Sequence, residues 1–349
     1  MPVLEGKPSA PAVGREPAAT TTYLEAIREA LRGEMRRDPD VFILGEDIGI
    51  GGGAFGVTKG FLQEFGPPRV LDTPLAESGF IGVAIGTAIL GLRPVVELQF
   101  ADFVTDAYKM IVDFAACHHY HQGEPLPLTL RLPSGSLGSA GAFHSHNPEG
   151  WFFHVPGLKI VSAASPYDAK GLLLSAIRDN NPVLFLEYKK LYHLPPNRFP
   201  PQLARPVPEE DYTIPIGKGR VLREGSELTV LTYGLTVFDA LEAARRAEGE
   251  GLDIEVIDLR SIRPFDQTLI LDSVRKTGKV LIAHEDHLTG GVGAEWAARI
   301  AREAFHHLDA PVERVGALDV PIPFSPSLEA AFLPNAEGIL AAVHRLAAY

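Results

Sequence analysis

A chain of 349 residues is long enough for two domains, each with a sizeable core. Hydrophobic residues make up 46% and charged residues 22%, an ordinary globular balance that excludes disorder as the ground state. A net charge of −12 with no long Lys/Arg run excludes a nucleic-acid footprint, and the single cysteine, Cys117, excludes an intrachain disulfide and fits a reducing compartment.

Residues 1–19 are rich in Pro and Ala, carry scattered charges and have no apolar signal core, so they read as a flexible N-terminal arm. Thr20, Thr21 and Thr22 then offer N-caps to a helix with Leu24, Ile27, Leu31 and Met35 at helical spacing. Val41 to Leu44 is a short buried strand, Gly51 to Gly53 a loop and Arg69 to Leu71 another strand. Glu77 opens a glycine-rich helix whose apolar run, Gly79 to Leu92, falls short of the roughly 20 residues that span a bilayer. Pro94 to Leu98 is a strand, Asp102 to about Tyr120 a helix, and Leu128 to Leu132 a strand, followed by a Gly/Ser loop from Ser134 to Gly141. Lys159 to Ser162 is a strand, a helix starts at Pro166, and Val183 to Leu186 closes a first domain of residues 20–193.

Residues 194–212 hold Pro195, Pro196, Pro200, Pro201, Pro206 and Pro208, too many for helix or interior strand, and read as a linker. In residues 213–349 strands at Leu228–Thr232, Ile254–Ile257 and Val280–Ala283 alternate with helices near Val237–Ala244, Thr268–Val274 and Gly293–Phe305. Such alternation predicts an α/β protein of two domains, each a mostly parallel sheet flanked by helices. The expected setting is cytoplasmic, with no membrane and no nucleic acid as partner.

Several segments carry candidate chemistry. Glu77, after the proline turn Asp72-Thr73-Pro74, has two readings. It is a first-turn acid favoured by the helix dipole by about 0.3–1 kcal/mol, or it is a carboxylate that hydrogen-bonds a heterocyclic cofactor nitrogen. Gly82 and Gly86 favour the second, because they strip one helix face for close approach of a partner. Glu46 and Asp47 stand at the carboxyl end of a strand, where open α/β sheets place ligands; the alternative is a solvated turn. Gly51 to Gly56 satisfies G-x-G-x-x-G, but it starts too far after its strand for a dinucleotide fingerprint. His144 follows the Gly/Ser loop and suits proton transfer, or simply sits on a solvated loop. His144 with His146, His118-His119-Tyr120-His121 and His284-Glu285-Asp286-His287 lack the spacing of a zinc site. Asp179-Asn180-Asn181-Pro182 is a turn.

In this order the segments VFILGEDIG (41–49), VLDTPLAESG (70–79), GLRPVVELQFADF (91–103), HSHNPE (144–149), PGLKIVSAASPYDAKGLL (156–173), DLRSIRP (258–264) and HEDHLTGG (284–291) carry a family likeness. They resemble the beta subunit of the decarboxylating component of 2-oxo acid dehydrogenases, branched-chain type, close to the pyruvate dehydrogenase beta subunit. The resemblance covers roughly residues 20–349. It implies a thiamine-diphosphate pyrimidine-binding domain followed by a transketolase C-terminal-like domain. It also implies an α2β2 heterotetramer with an alpha subunit, which holds the diphosphate and most of the magnesium coordination through a GDG motif absent here.

On the resemblance, Glu77 bonds the pyrimidine nitrogen and favours the cofactor tautomer that activates the thiazolium carbon. Glu46 is a second acid near the same ring, and His144 faces substrate and helps protonate the lipoyl sulfur. Leu75, Ala76, Glu77, Gln99 and Phe103 line the cofactor, and Phe100, Ala101, Asp102 and Phe103 with His144 line the substrate. Phe103 replaces a common tyrosine and His146 a common glutamine. Some members bind potassium at positions matching Leu126, Leu128, Thr129, Ala176, Asp179 and Asn181. The implied activity is oxidative decarboxylation of a small 2-oxo acid with acylation of the lipoyl domain of a dihydrolipoyl acyltransferase. Trp151-Phe152-Phe153 and residues 284–291 lean toward 3-methyl-2-oxobutanoate over pyruvate. The readings left beside it are a nucleotide-dependent oxidoreductase using Gly51–Gly56 and a non-catalytic scaffold with an acidic docking surface.

Overall fold

The computed structural model describes residues 21–349, so the N-terminal arm and Thr20 lie outside the described residues. Helix α1 (Tyr23–Arg37) begins at a full capping box: Glu25 N donates to Thr22 Oγ1 at 3.2 Å, and Thr22 N donates to the Glu25 carboxylate at 2.8 Å. Strand β1 (Val41–Gly45), the short helix α2 (Phe61–Phe65), β2 (Val70–Asp72), α3 (Glu77–Ile89) and β3 (Arg93–Glu97) come next.

The single helix expected over 102–120 is instead three segments. A 3₁₀ stretch (Ala101–Ala107) leads through a π-type turn (Met110–Ala115) into α4 (Ala116–Gln122). Such departures from α geometry cluster at functional sites, and this one sits beside the aromatic residues Phe100 and Phe103. The chain continues through β4 (Thr129–Ser134), α5 (Glu149–Phe152), β5 (Lys159–Ala163), α6 (Pro166–Arg178) and β6 (Val183–Tyr188).

The proline-rich segment is not a free linker. Phe199 and Leu203 are buried in the larger core, Arg205 stacks 3.9 Å above the Tyr167 ring, and Lys170 donates to the Pro208 and Glu209 carbonyls. It is a strap packed along α6. Beyond it come β7 (Arg220–Arg223), β8 (Leu228–Thr232), α7 (Thr236–Gly249), β9 (Ile254–Asp258), β10 (Ser261–Arg263) and α8 (Gln267–Thr277). The chain ends with β11 (Val280–His287), α9 (Gly293–Glu303), β12 (Glu313–Ala317), α10 (Pro326–Phe332) and α11 (Ala336–Ala347).

Two sheets result, ordered β10-β5-β6-β4-β3-β1-β2 and β12-β11-β8-β9-β7. All pairings are parallel except β10 on β5 and β7 on β9. Helices cover both faces, so strands such as β8 and β9 are buried at every position, Glu255 and Asp258 of β9 included. One strand departs from the expected division: β10 belongs by sequence to the second domain yet completes the edge of the first sheet, Ser261 opposite Val161. Beside it Arg260, buried, pairs with the buried Asp168 at 3.0 Å, and Ser162 N donates to the Arg260 carbonyl at 2.8 Å. No helix among the described residues is long and apolar enough to cross a membrane.

Candidate active site

In the first sheet β1 lies between β2 and β3, so the residues that leave the carboxyl ends of these strands are brought together. Glu46 follows β1 directly. It is buried at 4% exposure, yet neither carboxylate oxygen has a hydrogen-bond partner among the described residues. Burial, then the charges of Glu77 and Asp47, push its carboxyl up to about 7. Glu77 is the first residue of α3, half-buried, with Ala76 at the N-cap. Leu75 is 80% exposed. Gln99, after β3, donates to Asp47 Oδ2 at 3.2 Å, and Asp47 itself takes a positive φ of 55°. A buried acid without a donor, facing a second acid at a helix start, forms an incomplete polar site.

His144 stands edge-on between two aromatic rings, 4.5 Å from Phe100 and 5.6 Å from Phe103. Phe100 packs in turn on Phe55 at 5.7 Å. With phenylalanine at 103, this wall presents carbon where a tyrosine would present a hydroxyl. Ala101 is fully buried, and Asp102 Oδ1 accepts from Ser145 N (3.2 Å), His146 N (3.1 Å) and His146 Nδ1 (2.6 Å). Burial raises the Asp102 carboxyl, but the His146 hydrogen bonds outweigh it and hold the group below its ordinary value. Its work is to fasten the loop that carries His144, and His146 is the partner that makes this possible.

Sequence reasoning misses two further elements of the site. Lys189, immediately after β6, is buried with its ammonium 5.4 Å from the Phe100 ring centre and one hydrogen bond to the Pro133 carbonyl. Burial pushes it down to about 8, against the pull of Asp102. Its place at a strand's carboxyl end was the available signal. Beneath the site Arg131 is buried between Glu97 and Glu187, with a bidentate pair to Glu187 at 2.7 and 2.8 Å, and Tyr192 donates to Glu187 at 2.6 Å. Charged residues inside otherwise apolar strands were the signal there.

The six residues matched to a potassium site do gather at the opposite, amino end of β4 and β6. There Lys159 holds Asp179 at 2.5 Å, Asn181 occupies the other carboxylate oxygen, and Leu128 O accepts from Val183 N. The carboxylate thus already has its cation in Lys159, and these residues do not fit a potassium ion as they stand. The His118–His121 cluster is spread along α4, and the described residues contain no His/Cys/Asp/Glu group arranged to hold a metal. At Gly51–Gly56 the following helix begins only at Phe61, and a side chain at Gly53 would run into Glu97, so no helix N-terminus faces a ligand there.

Two α/β layers, with paired acids at the strand ends of the first, define a two-domain protein of the transketolase type. The transketolase pyrimidine-binding domain matches residues 19–195, and the transketolase C-terminal domain matches residues 217–339. A split-gene transketolase solved as an inactive beta4 tetramer superposes with a TM-score of 0.74 at 25% identity, over 95% of this chain and 99% of that one. The 2-oxoisovalerate dehydrogenase beta subunit of Bacillus subtilis is 44% identical over 94% of this chain and 99% of its own length. The pyruvate dehydrogenase E1 beta subunit of Rickettsia felis is 44% identical over 94% and 98%. A mitochondrial 2-oxoisovalerate dehydrogenase beta subunit of Arabidopsis thaliana is 42% identical over 96% and 91%. The chain belongs to the family of 2-oxo acid dehydrogenase E1 beta subunits, which is thiamine diphosphate-dependent.

Proposed function

We propose that this chain is the beta half of an α2β2 enzyme that oxidatively decarboxylates a small branched 2-oxo acid and passes the acyl group to the lipoyl domain of an acyltransferase. The observation that carries the reading is Glu46, buried and without a donor among the described residues, with the charge of Glu77 nearby at the start of a helix with an open face. A pyrimidine ring carried in by a partner would supply the missing donor. Thiamine diphosphate, when bound, provides the electron sink for loss of CO2. Glu77 would hold its ring nitrogen, and Leu75, Ala76, Gln99 and Phe103 would flank the ring. Its diphosphate and magnesium fall to the alpha chain, because this sequence lacks the GDG motif.

Within this chain, Glu46 with a carboxyl near 7 can hold or release a proton at working pH. The Phe100, Phe103 and His144 wall would exclude water from an apolar substrate tail while His144 presents a ring nitrogen. That carbon-lined wall favours 3-methyl-2-oxobutanoate over pyruvate, the alternative substrate that relatives of equal identity keep in view. The test is to co-express the chain with its alpha partner and assay both acids. Glu77→Gln should cut turnover by at least about 100-fold, the scale of a lost general acid–base contribution. Full activity in that variant would remove Glu77 from the chemistry, and a strong pyruvate preference would reassign the substrate.

A further inference from the structure

The loop that carries His144 runs from Gly135 to His146 and is closed by Gly135 N donating to His146 O at 3.1 Å. Inside it there is little to hold a shape: Gly138 N reaches Ser136 Oγ at 3.3 Å and His144 N reaches Gly141 O at 3.4 Å. A loop of this kind, short of internal bonds, opens readily unless something outside clamps it. Asp102 supplies one clamp from the first domain.

Two others come from the second. Glu285, on β11, accepts from Ser136 N at 2.9 Å, and Glu329, on α10, accepts from Gly138 N at 2.8 Å. Both acids are buried, at 4% and 2% exposure. The fit is close enough to need glycine. A Cβ on Gly135, at φ 80°, would stand 2.9 Å from Glu285 Oε1, and one on Gly141, at φ 65°, would run into the Phe324 ring. Phe324 is held in turn by its own segment, where Asp319 accepts from Thr289 Oγ1 at 2.6 Å and the His287 ring meets the Val320 carbonyl at 3.2 Å. Tyr188 of the first domain also stands against Gly135, but the acceptors at 136 and 138 and the ring at 141 belong to the second domain.

We infer that the second domain positions the first domain's histidine, with Glu285 and Glu329 as positioning residues for the loop of His144. Each accepts a backbone N–H of the loop, and Glu329 also lies 3.9 Å from the Lys190 ammonium; withdrawal of the loop would cost each buried carboxylate that hydrogen bond. This rests on the role given to His144 above.

The experiment measures hydrogen exchange at residues 135–146 of the full chain, and acyl transfer by the αβ complex, for wild type, Glu285→Ala, Glu285→Gln and Glu329→Ala. Loop exchange should rise at least about ten-fold in the alanine variants while β4 and β8 stay protected, and Gln, which keeps an acceptor oxygen, should restore most of the protection. In the same variants kcat for acyl transfer should fall by about ten-fold with KM for the 2-oxo acid nearly unchanged. Unaltered loop exchange overturns the clamp, and a loosened loop with wild-type acyl transfer overturns positioning. If the wild-type complex turns over no 2-oxo acid, the functional reading fails, while the exchange data still decide the clamp. Should Glu285→Ala not fold, Glu329→Ala carries the same measurement.

Discussion

Glu46 is a carboxyl taken out of water without a donor among the described residues, and that has a cost the isolated protein must bear. Its carboxyl is raised from 4.5 to about 7, so the folded chain keeps the proton longer than the unfolded one. The penalty is therefore absent below pH 4.5, grows as pH rises toward 7 and is complete above it. Glu46→Gln removes the charge at nearly constant volume. In the isolated chain it should raise stability by about 1–3 kcal/mol at pH 8 and change it little at pH 4.5, read from urea unfolding at the two values. An equal gain at both pH values would show that ionisation is not the cause. The same residue should become indispensable once the partner and coenzyme are present, which is the usual exchange of stability for function at such sites.

Among the elements, α3 is the telling one. It is apolar on nearly every side, as a helix buried all round should be, yet Val83 is 57% exposed and Leu90, its C-cap, 83%. Gly79, Val83, Gly86 and Leu90 fall on one stripe, and a side chain at Gly86 would meet nothing within 4 Å among the described residues. Gly86→Ala should stabilise the isolated chain by about 0.5–1 kcal/mol through helix propensity, while weakening its association with the alpha subunit. Both are measurable, one by melting and one by sedimentation; unchanged association would place the partner on another face.

The helix and the strands around it were legible, because parallel strands read as short apolar runs and α1 carries its caps and spacing openly. Glu46 and Glu77 were legible for a related reason, since each sits where a strand or turn gives way to the next element. Other features left no such trace. The 3₁₀ and π turns of residues 101–115 differ from an α-helix only in which carbonyl each amide meets, and packing decides that. The hydrogen bonds of Asp102, Glu285 and Glu329 go to backbone N–H groups distant in sequence, which no spacing rule records. Sequence reading also leaves α11 unassigned, although Ile339, Ala342, Val343 and Leu346 come after Asn335 at helical spacing.

For the molecule as a whole, the seam between the two sheets is polar and buried. Arg260 reaches Asp168 across it, and Asp258 beside them has its carboxyl raised to about 8 by burial and then by the charge of Asp168. Removing one member of such a pair strands the other. Arg260→Ala should cost about 3–5 kcal/mol and split a single calorimetric transition into two, since it also loosens the segment that leads into β10. Retention of one transition at an unchanged midpoint would mean that the domains are joined elsewhere. The three residues of β10 have a wider consequence. Because Ser261 pairs with Val161, a strand from beyond the proline strap completes the sheet that precedes it. A chimera of two relatives spliced at that strap would oblige one parent's edge strand to recognise the other's hydrogen-bonding register. The two halves of such a gene are therefore bound to diverge together.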